Sequence, residues 1–143
     1  MFRVTRRYRF AASHRLHSAL LSEDRNREAY GKCNNPFGHG HDYVLDVSVR
    51  GPADRDGRTV DRAALDELVA WQVIEPFDHR NLNVEVAEFA RTVPTSENLA
   101  VEICRRLKAG WSAVFPGEWP KLDGVRIAET PRNIFEVGAN EIE

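Results

Sequence analysis

The chain is poor in cysteine and has no long apolar run, and each shortage excludes a class of protein. Cys33 and Cys104 are the only two cysteines among 143 residues, too few for the disulfide framework of a small secreted domain. The apolar stretches are too short to cross a bilayer, and the first residues resemble no signal peptide. A net charge of -2 makes nucleic acid an unexpected partner. We therefore expect a cytoplasmic protein that contacts neither membrane nor nucleic acid.

Lysine is scarce too, since only 3 of the 20 basic residues are lysines and the rest are arginines. Several arginines fall close together near the start of the chain: Arg3, Arg6, Arg7, Arg9 and Arg15. Guanidinium groups pair well with phosphate, so this cluster would suit a small molecule that carries phosphate. A solvated strand face is the competing interpretation of the residues from Arg3 to Arg9.

The apolar pattern predicts a single domain over residues 1–143, with elements in the order β-β-α-α-β-β. The predicted elements begin with strands over 2–12 and 41–51 and a helix from the Asp61 cap to about Ile74. A second helix opens at Pro94-Thr95-Ser96 and has an apolar stripe from Ala100 to Val114, and strands over about 122–129 and 133–138 follow. Asp61 and the Pro94-Thr95-Ser96 run open the two helices, and Pro76 is expected to end the first one. Residues 13–40 are polar and are predicted to form a loop.

Strand pairs with the helices between them favour an α+β fold, with a four-stranded antiparallel sheet and both helices on one face. The other face and the edges of such a sheet stay open, and oligomerisation is a common way to cover them. We therefore expect a closed ring or barrel of several subunits.

Three of the five histidines form a pattern that indicates a metal site. His39 and His41 are two residues apart on an extended segment, so their imidazoles lie on the same face. His14, from the other strand, would add a third nitrogen and leave one position open, as in a catalytic zinc site. The same three ligands would also suit iron, cobalt or nickel.

Cys33 lies in a polar loop, six residues before His39, where a thiol can act beside the metal. Lys32 and the metal would lower the pKa of the Cys33 thiol toward the reactive thiolate. A role as fourth zinc ligand is the alternative. Cys104 lies on the apolar stripe of the second helix and is predicted to be a core residue.

Carboxylates and a further histidine mark other candidate positions. Asp78 precedes His79, and a carboxylate beside an imidazole can prepare it for proton transfer, although such pairs also occur by chance. Glu129 follows an apolar strand and can accept a bidentate pair from a planar N–H/NH2 edge. An exposed hairpin residue is the alternative for Glu129. Glu97 is more typical of a first-turn acid that favours the helix dipole.

Together these residues resemble the 6-pyruvoyl tetrahydropterin synthase family, which includes 6-carboxytetrahydropterin synthases, over essentially the whole chain. The resemblance is carried by Phe10–Leu16, by the run from Tyr30 to Tyr43 with its Cys-Asn-Asn-Pro-Phe-Gly-His-Gly-His core, by Asp78–Leu82, by Thr95–Asn98 and by Glu129-Thr130. It implies the tunnelling (T-fold) architecture and a homohexamer of two stacked trimers. Each active site of that assembly would lie between subunits.

The resemblance also implies a role for each candidate residue. The implied roles are zinc ligands for His14, His39 and His41, catalytic residues for Cys33, Asp78 and His79, and pterin-binding residues for Glu129, Thr95, Ser96 and Glu97. Cys33 would be the general base, Asp78 and His79 would complete a proton relay, and Glu129 would anchor the pterin ring.

The implied substrate is 7,8-dihydroneopterin triphosphate, and the implied reaction eliminates triphosphate and shifts protons along the side chain to give two ketones. Relatives in queuosine biosynthesis convert the same substrate to 6-carboxytetrahydropterin, with release of acetaldehyde and triphosphate. They typically have a Cys-x3-His-Gly-His spacing, whereas this chain has the animal-type Cys-x5-His-Gly-His, which favours the pyruvoyl product. Phe37 and Asp42 depart from the animal-type motif and leave the product open.

Two further alternatives receive less support. A third kind of relative has a glutamate near the cysteine position and cleaves dihydroneopterin, and Cys33 argues against it. A zinc-bound pterin-binding protein without turnover would be expected to lack Cys33, Asp78 or His79, and all of these are present.

Overall fold

The computed structural model describes residues 1–142 as an α+β fold built on one mixed sheet. Its strands are β1 (Phe2–His14), β2 (His39–Gly51), β3 (Arg80–Asn81), β4 (Lys121–Ala128) and β5 (Ile134–Gly138). The strand order is β3-β1-β2-β4-β5, in which β1, β2, β4 and β5 pair antiparallel and β3 runs parallel to β1. The predicted antiparallel strands are therefore present, and a short fifth strand extends the sheet at one edge.

The long β1–β2 pair brings the candidate histidines together. The pairing runs without a break from Phe2 opposite Gly51 to His14 opposite His39. Both strands are longer than predicted because the residues where β1 ends and β2 begins, around Ser13 and Gly40, do not continue the apolar alternation. Hydrogen bonding continues through them, which places His14 beside the His-Gly-His segment.

The segment predicted as a loop over 13–40 contains a helix, α1 (Glu23–Tyr30), followed by a 3-10 turn at Gly31–Asn34. Ser22 caps α1 by accepting a hydrogen bond from the Arg25 backbone N–H at 3.1 Å. Sequence periodicity missed this helix because its one buried residue is the polar Asn26. The Asn26 amide replaces apolar packing with hydrogen bonds to the preceding turn, including one from the Ser18 backbone N–H at 2.7 Å.

The first predicted helix begins as expected but continues past its predicted end. Asp61 caps α2 (Arg62–Val69), which passes through a π-helical turn at Ala70–Ile74 into α3 (Glu75–Phe77). Pro76 is tolerated because it lies in the first turn of α3, where a missing N–H costs little. The helical run therefore ends at Phe77, one residue after the proline, and delivers the chain to Asp78.

The later helices complete the layer over the sheet. After the short α4 (Leu82–Glu85) and a 3-10 turn at Ala87–Ala90, Thr95 caps α5 (Ser96–Val114), as predicted. Helices α2 and α5 pack against each other, and α5 packs on β4. No helix within residues 1–142 is both long and apolar enough to span a membrane.

One apolar core lies between this helical layer and the sheet. Its fully buried members include Leu45, Val47, Leu65, Leu99, Ile103 and Cys104. The prediction that Cys104 is a core residue is confirmed. At an edge of this layer, Arg6 and Tyr8 of β1 both donate hydrogen bonds to the Asp66 carboxylate of α2, at 2.6 to 2.8 Å.

The opposite face of the sheet is polar, and several of its charges are paired. Arg7 donates two hydrogen bonds to Asp46, and Arg3 contacts Asp123 at 2.8 Å. Arg3, Arg6 and Arg7 thus each have a carboxylate partner, which favours the structural interpretation of these arginines over a phosphate site.

Candidate active site

Four side chains converge at the end of the sheet where β1 finishes and β2 begins. They are His14, Cys33, His41 and Glu129, and one potential ligand atom from each lies within 4.8 Å of all the others. The Nε2 atoms of His14 and His41 are 3.1 Å apart, and Glu129 Oε1 lies 3.5 and 3.2 Å from them. Cys33 Sγ is 3.8 Å from His41 Nε2. We call these four residues the donor cluster.

His14 is held in the tautomer that binds metal through Nε2. Its side chain is fully buried, and its Nδ1–H donates a hydrogen bond to the Pro94 carbonyl at 2.9 Å. A ring with its proton committed to Nδ1 has a lone pair on Nε2, and this atom faces His41 and Glu129. A carbonyl that fixes the second nitrogen of a histidine ligand is a common feature of metal sites.

Both clustered histidines resist protonation. Burial, and after it the neighbouring His41, lower the pKa of His14 to about 4. Burial also lowers the pKa of His41. Neutral imidazole is the form that coordinates metal, so two nitrogens, a thiol and a carboxylate form a donor set that suits zinc.

The position of His39 differs from that of the other two histidines. Its side chain is exposed, its ring centroid lies 4.7 Å from that of His41, and it does not belong to the donor cluster. Glu129, interpreted from the sequence as the pterin anchor, lies beside the two clustered imidazoles instead. The assignment of His39 as a ligand and of Glu129 as the anchor stays a prediction.

Cys33 lies on the 3-10 turn after α1, and its backbone carbonyl accepts a hydrogen bond from the Leu16 N–H at 2.7 Å. Burial, and then the negative charge of Glu129, raise the pKa of the Cys33 thiol. The expected lowering by Lys32 is wrong for the protein alone, because Lys32 is exposed and burial dominates. A positive charge inside the donor cluster would oppose this rise and favour the thiolate.

Asp78 and His79 lie at the β1 edge of the sheet. Asp78 Oδ1 accepts a hydrogen bond from the Ala11 N–H at 2.9 Å, and the His79 N–H donates to the Ala11 carbonyl at 2.6 Å. Within residues 1–142, His79 is the one non-glycine residue with positive φ, at 58°. Such strain costs of order 1–3 kcal/mol and is concentrated at functional sites.

Within residues 1–142, the side chains of this pair make no hydrogen bond or ion pair with the donor cluster. His79 Nε2 lies 3.5 Å from Asp78 Oδ2, and the His79 side chain is 82% exposed. Neither side chain hydrogen-bonds or ion-pairs with Cys33 within residues 1–142. The structure therefore presents an oriented imidazole to the outside, at the sheet edge.

The start of α5 adjoins the donor cluster through Pro94. Thr95 uses its hydroxyl to cap the helix at the Asn98 N–H, and Glu97 is exposed in the first turn. Ser96 Oγ is the one buried side-chain oxygen or nitrogen within residues 1–142 that has no hydrogen-bond partner. A buried orphan hydroxyl is costly, so Ser96 is the member of this segment best prepared for an external partner.

Two positioning residues were missed from the sequence. The Pro94 carbonyl orients His14. The Asn83 side chain holds the backbone of Arg15 by two hydrogen bonds, one accepted from its N–H at 2.6 Å and one donated to its carbonyl at 2.9 Å. Both contacts join segments about seventy to eighty residues apart, so local sequence patterns give no signal for them.

Comparison with known proteins identifies the family of the chain. The family model described as 6-pyruvoyl tetrahydropterin synthase matches residues 3–140. The 6-pyruvoyl tetrahydrobiopterin synthase of Poecilia reticulata is 43% identical over 132 residues, which make up 92% of this chain and 86% of the relative. A 6-carboxy-5,6,7,8-tetrahydropterin synthase of Rickettsia conorii is 25% identical, over 96% of this chain and 100% of the relative.

A solved structure gives the same answer at the level of the fold. The 6-pyruvoyl tetrahydropterin synthase of Caenorhabditis elegans matches with a TM-score of 0.86 and 42% identity, over 96% of this chain and 94% of that chain. The family model and the relatives therefore show that the chain belongs to the 6-pyruvoyl tetrahydropterin synthase family.

Proposed function

We propose that this protein is a zinc-dependent, cytoplasmic 6-pyruvoyl tetrahydropterin synthase that acts on 7,8-dihydroneopterin triphosphate. The products are 6-pyruvoyl-tetrahydropterin and inorganic triphosphate. The observation that carries the proposal is the placement of Cys33 Sγ 3.8 Å from His41 Nε2, inside a cluster of metal donors, in a chain 43% identical to such a synthase.

The zinc ligands are His14, His41 and, after a side-chain rotation toward them, His39. Zinc bound there would polarise the substrate's side-chain hydroxyls and stabilise enolate charge. The buried, neutral imidazoles of His14 and His41 support this assignment, since no proton has to be displaced from Nε2 of His14. Glu129 is then free to accept the N–H and NH2 groups of the pterin ring, with Ser96 Oγ as a further hydrogen-bonding group.

Cys33 acts as the general base that removes a carbon-bound proton next to the ring. Burial raises the pKa of the Cys33 thiol. A divalent cation within the cluster lowers this pKa again because it stabilises the thiolate. The base is thus active when the metal is bound, and a metal-free protein would hold an inert thiol.

Asp78 and His79 provide the remaining proton transfers, and they provide them to a neighbouring subunit of a homohexamer. Two observations support this arrangement: the strained, exposed His79 at the sheet edge and the absence of contact with Cys33 within residues 1–142. Hydrogen bonds of both residues to Ala11 hold the pair rigidly enough to serve a site across an interface.

Formation of 6-carboxy-5,6,7,8-tetrahydropterin is the alternative function. It uses the same substrate, and a synthase of that name from Rickettsia conorii is a relative at 25% identity. The Cys-x5-His-Gly-His spacing and the higher identity to the pyruvoyl enzymes favour the pyruvoyl product.

The test is mass spectrometry of the products after zinc-loaded protein is incubated with 7,8-dihydroneopterin triphosphate. We expect 6-pyruvoyl-tetrahydropterin and triphosphate. Formation of acetaldehyde and 6-carboxytetrahydropterin would instead establish the alternative function, carried out by the same site. Unchanged substrate from a metal-replete oligomer would overturn both and leave a pterin-binding protein.

A further inference from the structure

A basic cavity of about 600 Å³ opens beside the donor cluster, between the end of β1, helix α1 and the 3-10 turn that holds Cys33. Its lining includes Arg15, Lys32, Arg27 and His17, with Glu23 as the single acidic residue, and His39 at one side. None of the roles assigned above uses these basic side chains.

Two of the cations in the cavity have no carboxylate partner. Arg15 donates one hydrogen bond, from Nε to the Asn34 carbonyl at 3.2 Å, which leaves its two terminal nitrogens without a protein acceptor in residues 1–142. Lys32 forms no ion pair in that range either, whereas Arg27 is paired with Asp24. This contrasts with Arg3, Arg6 and Arg7 on the sheet, which are paired. Unpaired cations around a concave surface favour an anion.

The cavity is also built with oriented hydrogen-bond donors. The buried Asn34 amide donates to the Leu16 carbonyl at 2.8 Å and to His17 Nδ1 at 3.1 Å. His17 therefore has its proton on Nε2, as a further donor. Asn83 holds the Arg15 backbone by the two hydrogen bonds described above, so the guanidinium extends from a fixed point.

The position of the cavity fits one part of the substrate. Arg15 follows the buried His14, Lys32 precedes Cys33, and the His39 ring on the cavity wall lies 4.7 Å from the His41 ring. An extended anion attached to a side chain at the donor cluster reaches these groups directly.

We propose that this cavity binds the triphosphate of the substrate, with Arg15 and Lys32 as its principal cationic contacts. The assignment rests on the proposed function. In the elimination, the C2′ proton passes to the Asp78–His79 pair, which provides the transfers other than that of Cys33, and its electron pair forms the C2′=C3′ bond. The C3′–O bond breaks, and its electron pair leaves on the triphosphate oxygen, which gains one negative charge. Cations that meet this growing charge lower the barrier as well as improving binding.

The experiment measures inorganic triphosphate binding to the zinc-loaded oligomer by calorimetry at two salt concentrations. Arg15→Gln and Lys32→Met are compared with the wild type, and Arg58→Gln, at the opposite end of the sheet, is the matched control. We expect each cavity variant to raise the Kd for triphosphate about tenfold, because a charge-assisted hydrogen bond is lost, and the control to stay within about twofold of the wild type. Arg15→Lys should recover part of the affinity.

Kinetics provide the second measurement and separate the two proposals. The cavity variants should lower kcat and raise KM for dihydroneopterin triphosphate, while zinc content is unchanged. Unchanged triphosphate affinity in both variants, or no binding to the wild type, would overturn the cavity assignment even if the wild type makes the pyruvoyl product. Triphosphate binding lost in the variants of a protein that makes no product would retain the cavity and reject the proposed function.

Discussion

Individual residues of the donor cluster acquire their chemistry from burial more than from their neighbours in the sequence. His14 is neutral because it is fully buried and its pKa falls to about 4. The Cys33 thiol is held protonated by the same burial, assisted by Glu129. Metal binding would therefore convert the thiol to its reactive form. The imidazoles and the carboxylate attract a cation, and the cation lowers the pKa of the thiol.

Replacing Cys33 by alanine should abolish turnover and leave the rest of the site intact. Loss of a general base reduces kcat by roughly 10²–10⁴-fold, while zinc content and substrate affinity should stay near those of the wild type. Steady-state kinetics with elemental analysis of the purified protein measure both. Cys104→Ala is the control for removal of a thiol, and near-wild-type turnover of Cys33→Ala would reject the general-base assignment.

The roles of His39 and Glu129 can be separated by a pair of variants. If His39 is a ligand and Glu129 the pterin anchor, His39→Ala should lower zinc affinity by about 10- to 100-fold. Glu129→Gln should keep zinc and lose about tenfold or more in pterin affinity. Zinc titration and pterin binding are measured for both variants. The opposite result, zinc lost in Glu129→Gln and kept in His39→Ala, would assign the carboxylate to the metal as the cluster distances allow.

At the scale of elements, one polar junction holds a helix of the core layer against the sheet. Asp66 of α2 accepts two hydrogen bonds from Arg6 and one from Tyr8. The Arg6 guanidinium, and after it the Tyr8 hydroxyl, lower the pKa of the Asp66 carboxyl. The side chains of Asp66 and Arg6 are 40% and 33% exposed, so solvent screening reduces the contribution of this junction to stability.

Asp66→Asn should destabilise the protein by about 1 kcal/mol at neutral pH, a value discounted for that exposure. A carboxyl with a lowered folded pKa stabilises above its unfolded value of about 3.9, and the contribution disappears as pH falls through the folded pKa. The difference between wild type and variant should therefore be full at pH 7 and shrink below about pH 4. Urea unfolding at several pH values measures this difference in the free energy of unfolding.

The control is Asp24→Asn, which removes an exposed pair with Arg27 and should change stability little. An equal loss in both variants would contradict the stabilising role of the Asp66 junction.

Elements with an apolar period could be predicted from the sequence, and the others could not. The alternation that ends in Phe10 and the capped helix that starts at Ser96 carry their signals locally. The sequence did not predict helix α1, because its one buried residue is the polar Asn26. It did not predict β3, because a strand of two residues has no periodic pattern. In the same way, the His-x-His motif and Cys33 were identified by spacing, whereas the approach of Glu129 to His14 depends on the turn after β4.

At the scale of the whole molecule, both edges of the sheet are open among residues 1–142. Strand β5 is one edge, and at the other edge the short β3 leaves most of β1 unpaired. Exposed edges of this kind can pair with another chain. The Asp78–His79 pair lies at the β3 edge, so association there would bring an oriented imidazole to a partner's surface without any change of fold.

A mixture of two inactive variants tests whether that imidazole serves a neighbouring subunit. Cys33→Ala and His79→Ala should each be inactive as pure oligomers. After dissociation and reassembly of an equal mixture, a site composed of Cys33 from one subunit and His79 from the next has both groups intact in about a quarter of cases for random closed assembly. We therefore expect recovery of roughly a quarter of the wild-type activity per subunit.

The control for this mixture replaces His79→Ala by the double variant Cys33→Ala, His79→Ala, which has no intact cysteine to contribute and should give no recovery. Reassembly is verified by the mass of the mixed oligomer, so that a failure to associate is not mistaken for a failure to complement. Recovery in the first mixture alone requires that Cys33 and His79 act from different chains, because each variant chain lacks one of them. An inactive but fully reassembled first mixture would place both groups in one chain, and His79 would then have to swing from the sheet edge to its own Cys33, against the backbone hydrogen bond that now holds it to Ala11.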